Sequence, residues 1–329
     1  FWNGLLLNLY CIMVSLKKFV NSIYFIFFLG VFFGIFLALL VYNYYASVEV
    51  FRDPPSQGKY ETYFFNEKKY KRSYSVYIPK SLKSNSTVIF VLHGSKGTSE
   101  SARKKTGYDF EYLAEEKGLL IVYPQGFKNH WNGCRASADY ETNILNINDI
   151  EYFKKVIKSI QNDFNIDKTK LIVTGMSNGG HMVYKLAYEI PEEFFLYSAF
   201  VANLPIDQNN DCFISNKEVN MIIFNGSNDQ INPHEGGLVS LFGNDSRGLV
   251  ISSDETYEYW RSLTSPQDEK ITIFPELDGD HDTTVVMKES SGSKIVALYT
   301  LKNGGHIYAS PNLRNPRFLG KSVGDINTA

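Results

Sequence analysis

Leu171-Ile172-Val173-Thr174-Gly175-Met176-Ser177-Asn178-Gly179-Gly180-His181-Met182-Val183-Tyr184-Lys185-Leu186-Ala187-Tyr188 changes its periodicity in the middle. Residues 171–174 are short, apolar and β-branched, the pattern of a strand. Residues 180–188 carry apolar side chains at helical spacing. Between them stand two glycines that flank Met176-Ser177-Asn178. A turn this sharp between a strand and a helix leaves no room for side chains at the flanking positions, and glycine is the residue that fits. The serine is pushed outward at the N-terminus of the coming helix, where developing negative charge is favoured. An ordinary glycine turn has the same five residues, so the chemistry depends on what stands on either side and on finding partners elsewhere.

Outward from this point the chain alternates strands and helices. Tyr60–Phe65 and Tyr74–Ile78 have strand composition and are joined by the polar turn 66–69. Thr87–Leu92 and Leu119–Tyr123 are continuous apolar runs, as expected of strands buried on both faces. Tyr108–Lys117 is helical. In Asp149–Phe164, Ile150, Phe153, Ile157, Ile160 and Phe164 recur every three or four residues, giving one apolar helix face. Later strands are expected at Tyr197–Val201, Met221–Asn225, Ile271–Phe274 and Ile295–Leu301, with a helix from about Asp254 to Leu263. This order predicts an α/β fold with a mainly parallel sheet covered by helices on both faces. Functional groups then collect at the carboxyl ends of the strands.

A serine is a poor nucleophile without a base and a group that orients the base. On an α/β-hydrolase fold these follow the serine in the order acid, then histidine. Asp229 lies in Asn225-Gly226-Ser227-Asn228-Asp229, just past the strand Met221–Asn225. The competing reading of Asp229 is an aspartate favoured only by turn chemistry. His306 ends Lys302-Asn303-Gly304-Gly305-His306, just past the strand Ile295–Leu301. The other histidines lack this context: His181 is expected to pack within the helix after the serine, and His130, His234 and His281 to be solvated in polar loops. Ser177, Asp229 and His306 are therefore the candidate nucleophile, acid and base. Two backbone N–H groups are expected to face the oxyanion: that of Asn178, next to the nucleophile, and that of Ser95 in His93-Gly94-Ser95-Lys96-Gly97. His93 is expected to hold that loop.

Basic and acidic residues nearly balance, 33 against 35, which gives no support for a nucleic-acid partner. Ile23 to Tyr42 carries no charge over 20 positions, about 30 Å as a helix and enough to cross a bilayer. Lys17 and Lys18 precede it and no basic residue follows closely, which predicts a cytoplasmic N-terminus and the remainder across the membrane. A cleaved signal peptide is the competing reading, with an unusually long apolar region and bulky Tyr44 near Ala46, a poor cleavage context. The expected organisation is a leader at 1–18, of which 1–12 precede Met13 and need not be native, a transmembrane anchor at 19–43, a linker at 44–59 and one α/β domain at 60–329. Cys11 lies in the leader. Cys134 and Cys212 lie beyond the membrane and suggest one disulfide, two buried thiols being the alternative. Neither has zinc-site spacing, and no metal is expected.

With these residues placed, the chain resembles the polyhydroxybutyrate depolymerase and feruloyl or acetylxylan esterase group of α/β-hydrolases, carbohydrate esterase family one. The resemblance runs from about Tyr74 to Ala329. It rests on Tyr77-Ile78-Pro79, Leu92-His93-Gly94-Ser95, Val122-Tyr123-Pro124-Gln125-Gly126, Trp131-Asn132-Gly133, the Ser177 turn, Asn225-Gly226-Ser227-Asn228-Asp229 and Gly304-Gly305-His306. It implies a secreted or envelope enzyme that cleaves carboxylic esters without a cofactor, with Ser177, Asp229 and His306 as its triad. It also implies that Cys134 and Cys212 pair and fix the Trp131 loop near the site, making Trp131 an aromatic wall for the substrate; a buried packing residue is the competing reading of Trp131. The chain departs from the group at Asn225, where histidine is common, and at Ile307-Tyr308-Ala309, where Trp-Pro commonly follows the histidine. The group also continues into a last helix beyond the region resembling Asp325-Ile326-Asn327, and without it an apolar face of the sheet is expected to be uncovered. The expected function is a serine esterase on polyhydroxybutyrate, feruloyl or acetyl esters. The rivals are a lipase or peptidase on the same fold, and a catalytically silent, membrane-tethered binding module.

Overall fold

The computed structural model describes residues 2–67, 69–281 and 283–329. The turn predicted at 66–69 therefore falls partly outside the described residues, and so does the side chain of Cys11. The chain divides after Ser47 into two compact units.

The first unit is one helix, Trp2–Ala46. Its stretch Ile12–Ala46 is long and apolar enough to cross a membrane; its most apolar window has a mean hydropathy of 2.7, and none of that window is buried within the protein.

The second unit is built on a ten-stranded sheet. Its strands are β1 (Lys59–Glu67), β2 (Tyr70–Ile78), β3 (Ser86–Leu92), β4 (Leu120–Pro124) and β5 (Ile166–Met176). The others are β6 (Leu196–Phe200), β7 (Met221–Gly226), β8 (Asp268–Ile273), β9 (Thr284–Ser291) and β10 (Val296–Lys302). The spatial order is β8-β9-β10-β7-β6-β5-β3-β4-β2-β1. The six strands from β10 to β4 are parallel. The two strands at either edge are antiparallel, so the sheet is mixed rather than mainly parallel. β9 had no prediction. Its Thr284-Val285-Val286-Met287-Lys288-Glu289 buries alternate residues, and the second half is polar. β8 is exposed along nearly its whole length and gives little hydrophobic signal.

The parallel centre is apolar because both of its faces are covered. Helices Asp149–Asp163, Asn178–Glu189 and Ser253–Ser262 pack on one face with Val88, Phe90, Val173 and Ile223. Helices Ser99–Lys105 and Asp109–Lys117 pack on the other with Ile89, Val91 and Ile121. Each fully buried aliphatic or aromatic side chain contributes about 1.5–3 kcal/mol. On the second face an apolar groove of about 580 Å³ remains over Ile89, Ile172, Ile222 and Tyr299, bordered by Ile326 and Ala329.

Part of the expected linker is docked on this unit. Glu49–Val50 pairs with Leu313–Arg314. Arg52 Nε donates to the Gly107 carbonyl at 2.8 Å, and the Arg52 guanidinium lies 3.9 Å over the Tyr112 ring. Within the linker expected at 44–59, the residues from Glu49 to Arg52 thus find partners on the domain.

Candidate active site

Strands β3, β5, β7 and β10 run in the same direction, so the loops after them leave one edge of the sheet. That edge carries Ser95, Ser177, Asp229 and His306. At the end of β5 the backbone turns through Ser177 at φ 57° and ψ −118°, and the helix starts at Asn178. A non-glycine residue held there costs about 1–3 kcal/mol, sustained by its surroundings. The turn also needs its glycines. A Cβ on Gly175 would stand 2.5 Å from the Gly179 carbonyl oxygen, and one on Gly179 would stand 2.7 Å from that of His93. Ser177 N–H donates to the Phe200 carbonyl at 2.8 Å. Its half-buried hydroxyl makes no hydrogen bond among the described residues.

The acid and the imidazole meet directly. His306 Nδ1 and Asp229 Oδ2 are 2.7 Å apart, both groups being buried. Asp229 Oδ1 accepts from the N–H groups of Ile231 and Asn232 at 2.8 and 2.9 Å. Both carboxylate oxygens are thereby committed, and an ionised Asp229 holds the proton on Nδ1 and leaves Nε2 as the basic nitrogen. The two loops approach closely because Gly226 has no side chain: a Cβ there would lie 2.2 Å from the Gly305 carbonyl oxygen. Asn225, where the resembled group has histidine, is absorbed locally. Its amide donates to Asn203 Oδ1 at 2.7 Å and Ser253 Oγ at 2.9 Å and accepts from Ala202 N–H at 3.1 Å. His181 lies one helical turn beyond the serine, its N–H donating to the Ser177 carbonyl at 3.0 Å. Burial holds its imidazole well below the usual range, and the nearby charges of Arg135 and His306 push it the same way.

His93 organises the loop after β3. Its Nε2 accepts from Gly126 N–H at 3.0 Å, which puts the proton on Nδ1, 2.8 Å from the Gly94 carbonyl. Burial pushes its pKa down to about 4, so the ring is neutral. Neither Ser95 N–H nor Asn178 N–H has an acceptor among the described residues, as expected of backbone groups free to meet an oxyanion.

Trp131 is a correction. It is 0% exposed and offers no ring face to a substrate. Its indole N–H donates to the His93 carbonyl at 2.9 Å. Its backbone N–H and C=O pair with the Asn178 side chain at 2.7 and 3.0 Å. The ring packs against His93 and Phe153. Trp131 therefore ties the loop after β3 to the helix of the serine. Cys134, three residues on, is disulfide-bonded to Cys212. His234, expected in solvent, is buried instead, with Nδ1 3.1 Å from Glu235 Oε1.

Three residues had no sequence signal. Tyr140 is buried beside Ser95, their hydroxyls 3.0 Å apart. Arg247 Nε and Arg135 Nη2 both donate to the Tyr140 oxygen, at 2.9 and 3.4 Å. Burial alone raises the phenol, but the positive charges of Arg135 and Arg247 outweigh it and hold the phenol below its ordinary value. Among the described residues, Glu276, Asp278 and Asp280 form the one acidic cluster of metal-binding size, on a loop remote in sequence from these groups.

A family profile for esterases matches residues 66–242, more than half the chain. This chain belongs to that esterase family. The match includes Ser95, Ser177 and Asp229 and ends before His306. Over 187 residues the esterase is 26% identical to acetylxylan esterase A of Emericella nidulans, covering 56% of this chain and 58% of that protein. It is also 26% identical over 127 residues to a bifunctional acetylxylan esterase/xylanase of Neocallimastix patriciarum, covering 39% of this chain and 17% of that one. The aligned stretches thus span 58% and 17% of these two relatives, less than two thirds of either. Among solved structures, the acetyl xylan esterase from Aspergillus awamori superposes with a TM-score of 0.47 at 16% identity, covering 80% of this chain and 94% of that one.

Proposed function

We propose that this esterase is a serine carboxylic-ester hydrolase acting through an acyl-enzyme. Ser177 Oγ attacks the ester carbonyl as His306 Nε2 takes its proton. Asp229 holds the imidazole and balances the charge it gains. The tetrahedral oxyanion is met by the N–H groups of Ser95 and Asn178. Collapse expels the alcohol, which takes the proton back from His306, and a water activated by the same imidazole then releases the acid. The observation that carries this reading is the 2.7 Å contact between His306 Nδ1 and Asp229 Oδ2 at the sheet edge where a strained turn presents a serine. The substrate class is a short acyl ester on a polysaccharide, acetyl first, because the curated relatives bear the name acetylxylan esterase.

The domain at 60–329 works outside the cytoplasm, tethered by the helix through residue 46 as a single-pass anchor. A disulfide and a long apolar helix next to two lysines support that placement.

Replacing Ser177 with alanine is expected to remove at least ~10³-fold of kcat on p-nitrophenyl acetate while the protein stays folded. A fluorophosphonate is expected to label the parent and not the variant. Parental turnover in Ser177→Ala defeats the assignment. A folded parent that never labels and never turns over an ester points to a binding module instead.

A further inference from the structure

Tyr140 stands among donors. Arg247 Nε lies 2.9 Å from its oxygen and Arg135 Nη2 lies 3.4 Å away. A guanidinium donates and never accepts, so the two arginines occupy the acceptor positions of the phenol oxygen. The phenol has one proton, and its remaining neighbour is Ser95 Oγ at 3.0 Å. The direction of that bond is therefore fixed: Tyr140 donates and Ser95 accepts. The proton of Ser95 is then left over, with no acceptor among the described residues. Ser95 is half-buried and follows Gly94, where a Cβ would stand 3.4 Å from Ser177 Cβ. The free hydroxyl proton thus belongs to a loop that touches the nucleophile.

The charges point the same way. Arg135 and Arg247 are 2% and 8% exposed, and among the described residues neither is paired with a carboxylate. Arg135 Nε is buried without any partner. Two buried cations without a counter-ion are costly in a resting protein. That cost becomes useful where negative charge appears only during the reaction.

We propose that the Ser95 hydroxyl is a third donor to the oxyanion, beside the two backbone N–H groups, and that Arg247, Arg135 and Tyr140 form the relay that aims and polarises it. The proposal rests on Ser177 being the nucleophile. No proton is transferred along the chain. As the carbonyl oxygen gains charge, Ser95 donates to it, and each bond behind Ser95 strengthens in turn. Ser95 touches the reacting oxygen. Tyr140 and the arginines are positioning residues that act through it.

The test uses the full chain and p-nitrophenyl acetate. Ser95→Ala keeps the backbone N–H and removes only the hydroxyl. It is expected to lower kcat on the order of 10²-fold with KM within about threefold, the pattern of a donor used only in the transition state. Ser95→Thr restores most of that loss. Tyr140→Phe lowers kcat by about tenfold, and combined with Ser95→Ala it adds nothing further, because both changes break one chain of bonds. Affinity for a trifluoromethyl ketone, which forms the tetrahedral oxyanion, falls in step with kcat. Fluorophosphonate labelling of Ser177 continues in every variant, which separates this proposal from the assignment of the nucleophile. If Tyr140→Phe fails to fold, the Ser95→Ala and Ser95→Thr pair decides alone. The proposal is overturned if labelled Ser95→Ala keeps kcat within twofold of the parent, if only KM moves, or if the two substitutions multiply independently.

Discussion

Three imidazoles near the site have different chemistry because their neighbours differ. His306 has a carboxylate on Nδ1 at 2.7 Å. His93 lies between one backbone donor and one backbone acceptor, buried, and stays neutral down to about pH 4. His181 is held well below the usual imidazole range by burial first and by the charge of Arg135 second. The consequence for stability follows from the direction of these shifts. A histidine titrates near 6.5 in the unfolded chain, whereas folded His93 titrates near 4. Between those values the unfolded chain binds more protons, so stability is full above about pH 6.5 and falls as pH drops toward 4. His93 alone accounts for about 3 kcal/mol over that window, and His181 adds a loss of the same sign. Urea midpoints at pH 7, 6 and 5 are expected to fall progressively, and His93→Gln to flatten the slope. An unchanged slope in that variant would remove His93 as the cause. Ser177, Asp229 and His306 were legible because each lies one short glycine-containing step beyond an apolar strand. Tyr140, Arg135 and Arg247 were not. Arg247 reaches Tyr140 across 107 residues, and both lie in irregular chain where no period marks a partner. Trp131 was misread for a related reason: its position beside the site was readable, but whether its ring faces inward or outward was not.

Among the elements, the parallel centre could be read from composition because its strands are buried on both faces, and a strand in that setting is apolar throughout. The edges are legible only in part: strands are expected at β1, β2 and the apolar end of β8, and none at β9. β9 buries Val285 and Met287 but turns polar in its second half, while β8 exposes even Ile271 and Ile273, and antiparallel edge strands of this kind can resemble loops. Antiparallel edges make the sheet mixed without altering which loops share the functional edge, since β3, β5, β7 and β10 all lie in the parallel part. The irregular segment from His130 to Asn148 has little regular structure of its own, and cross-links hold it. Asp149 Oδ2 accepts from Asn132 N–H at 2.8 Å, while Asp149 Oδ1 pairs with buried Arg72 at 2.7 Å. The Cys134–Cys212 bond closes a loop of 78 residues. On chain entropy alone, closing a loop of that length stabilises by about 4 kcal/mol. Cys212→Ser is therefore expected to lower the unfolding free energy by about 2–4 kcal/mol in a denaturant titration. Because the bond anchors the segment bearing Trp131 and Tyr140, activity should become more heat-labile along with the fold. A titration midpoint that does not move on losing the bond would show that hydrogen bonds such as that from Asn132 suffice.

At the scale of the whole molecule the two units face opposite solvent problems. The unit from Val48 onward encloses its own apolar cores on two faces of one sheet. Among the described side chains, the helix Trp2–Ala46 leaves its large apolar groups exposed: Phe25 is 66% exposed and Phe32 is 72% exposed. A continuous apolar surface of that size is unstable in water and stable in hydrocarbon. Its 20 uncharged residues match a bilayer core of about 30 Å, and the preceding lysines favour the cytoplasmic side. If the helix is an anchor and not part of the catalytic machinery, anchoring and catalysis should separate cleanly. The full chain is expected to enter the detergent-rich phase on Triton X-114 partitioning. A chain beginning at Val48 is expected to remain aqueous, with kcat on p-nitrophenyl acetate within about threefold of the full chain, since no group assigned to the reaction lies before Ser95. Expression in cells that export it adds a second readout, because an uncleaved anchor leaves the mature mass unchanged whereas a cleaved signal removes several kilodaltons. An aqueous full chain, a shortened mature mass or an inactive but folded Val48 chain would each contradict this arrangement, and the last would place part of the working site in the helix.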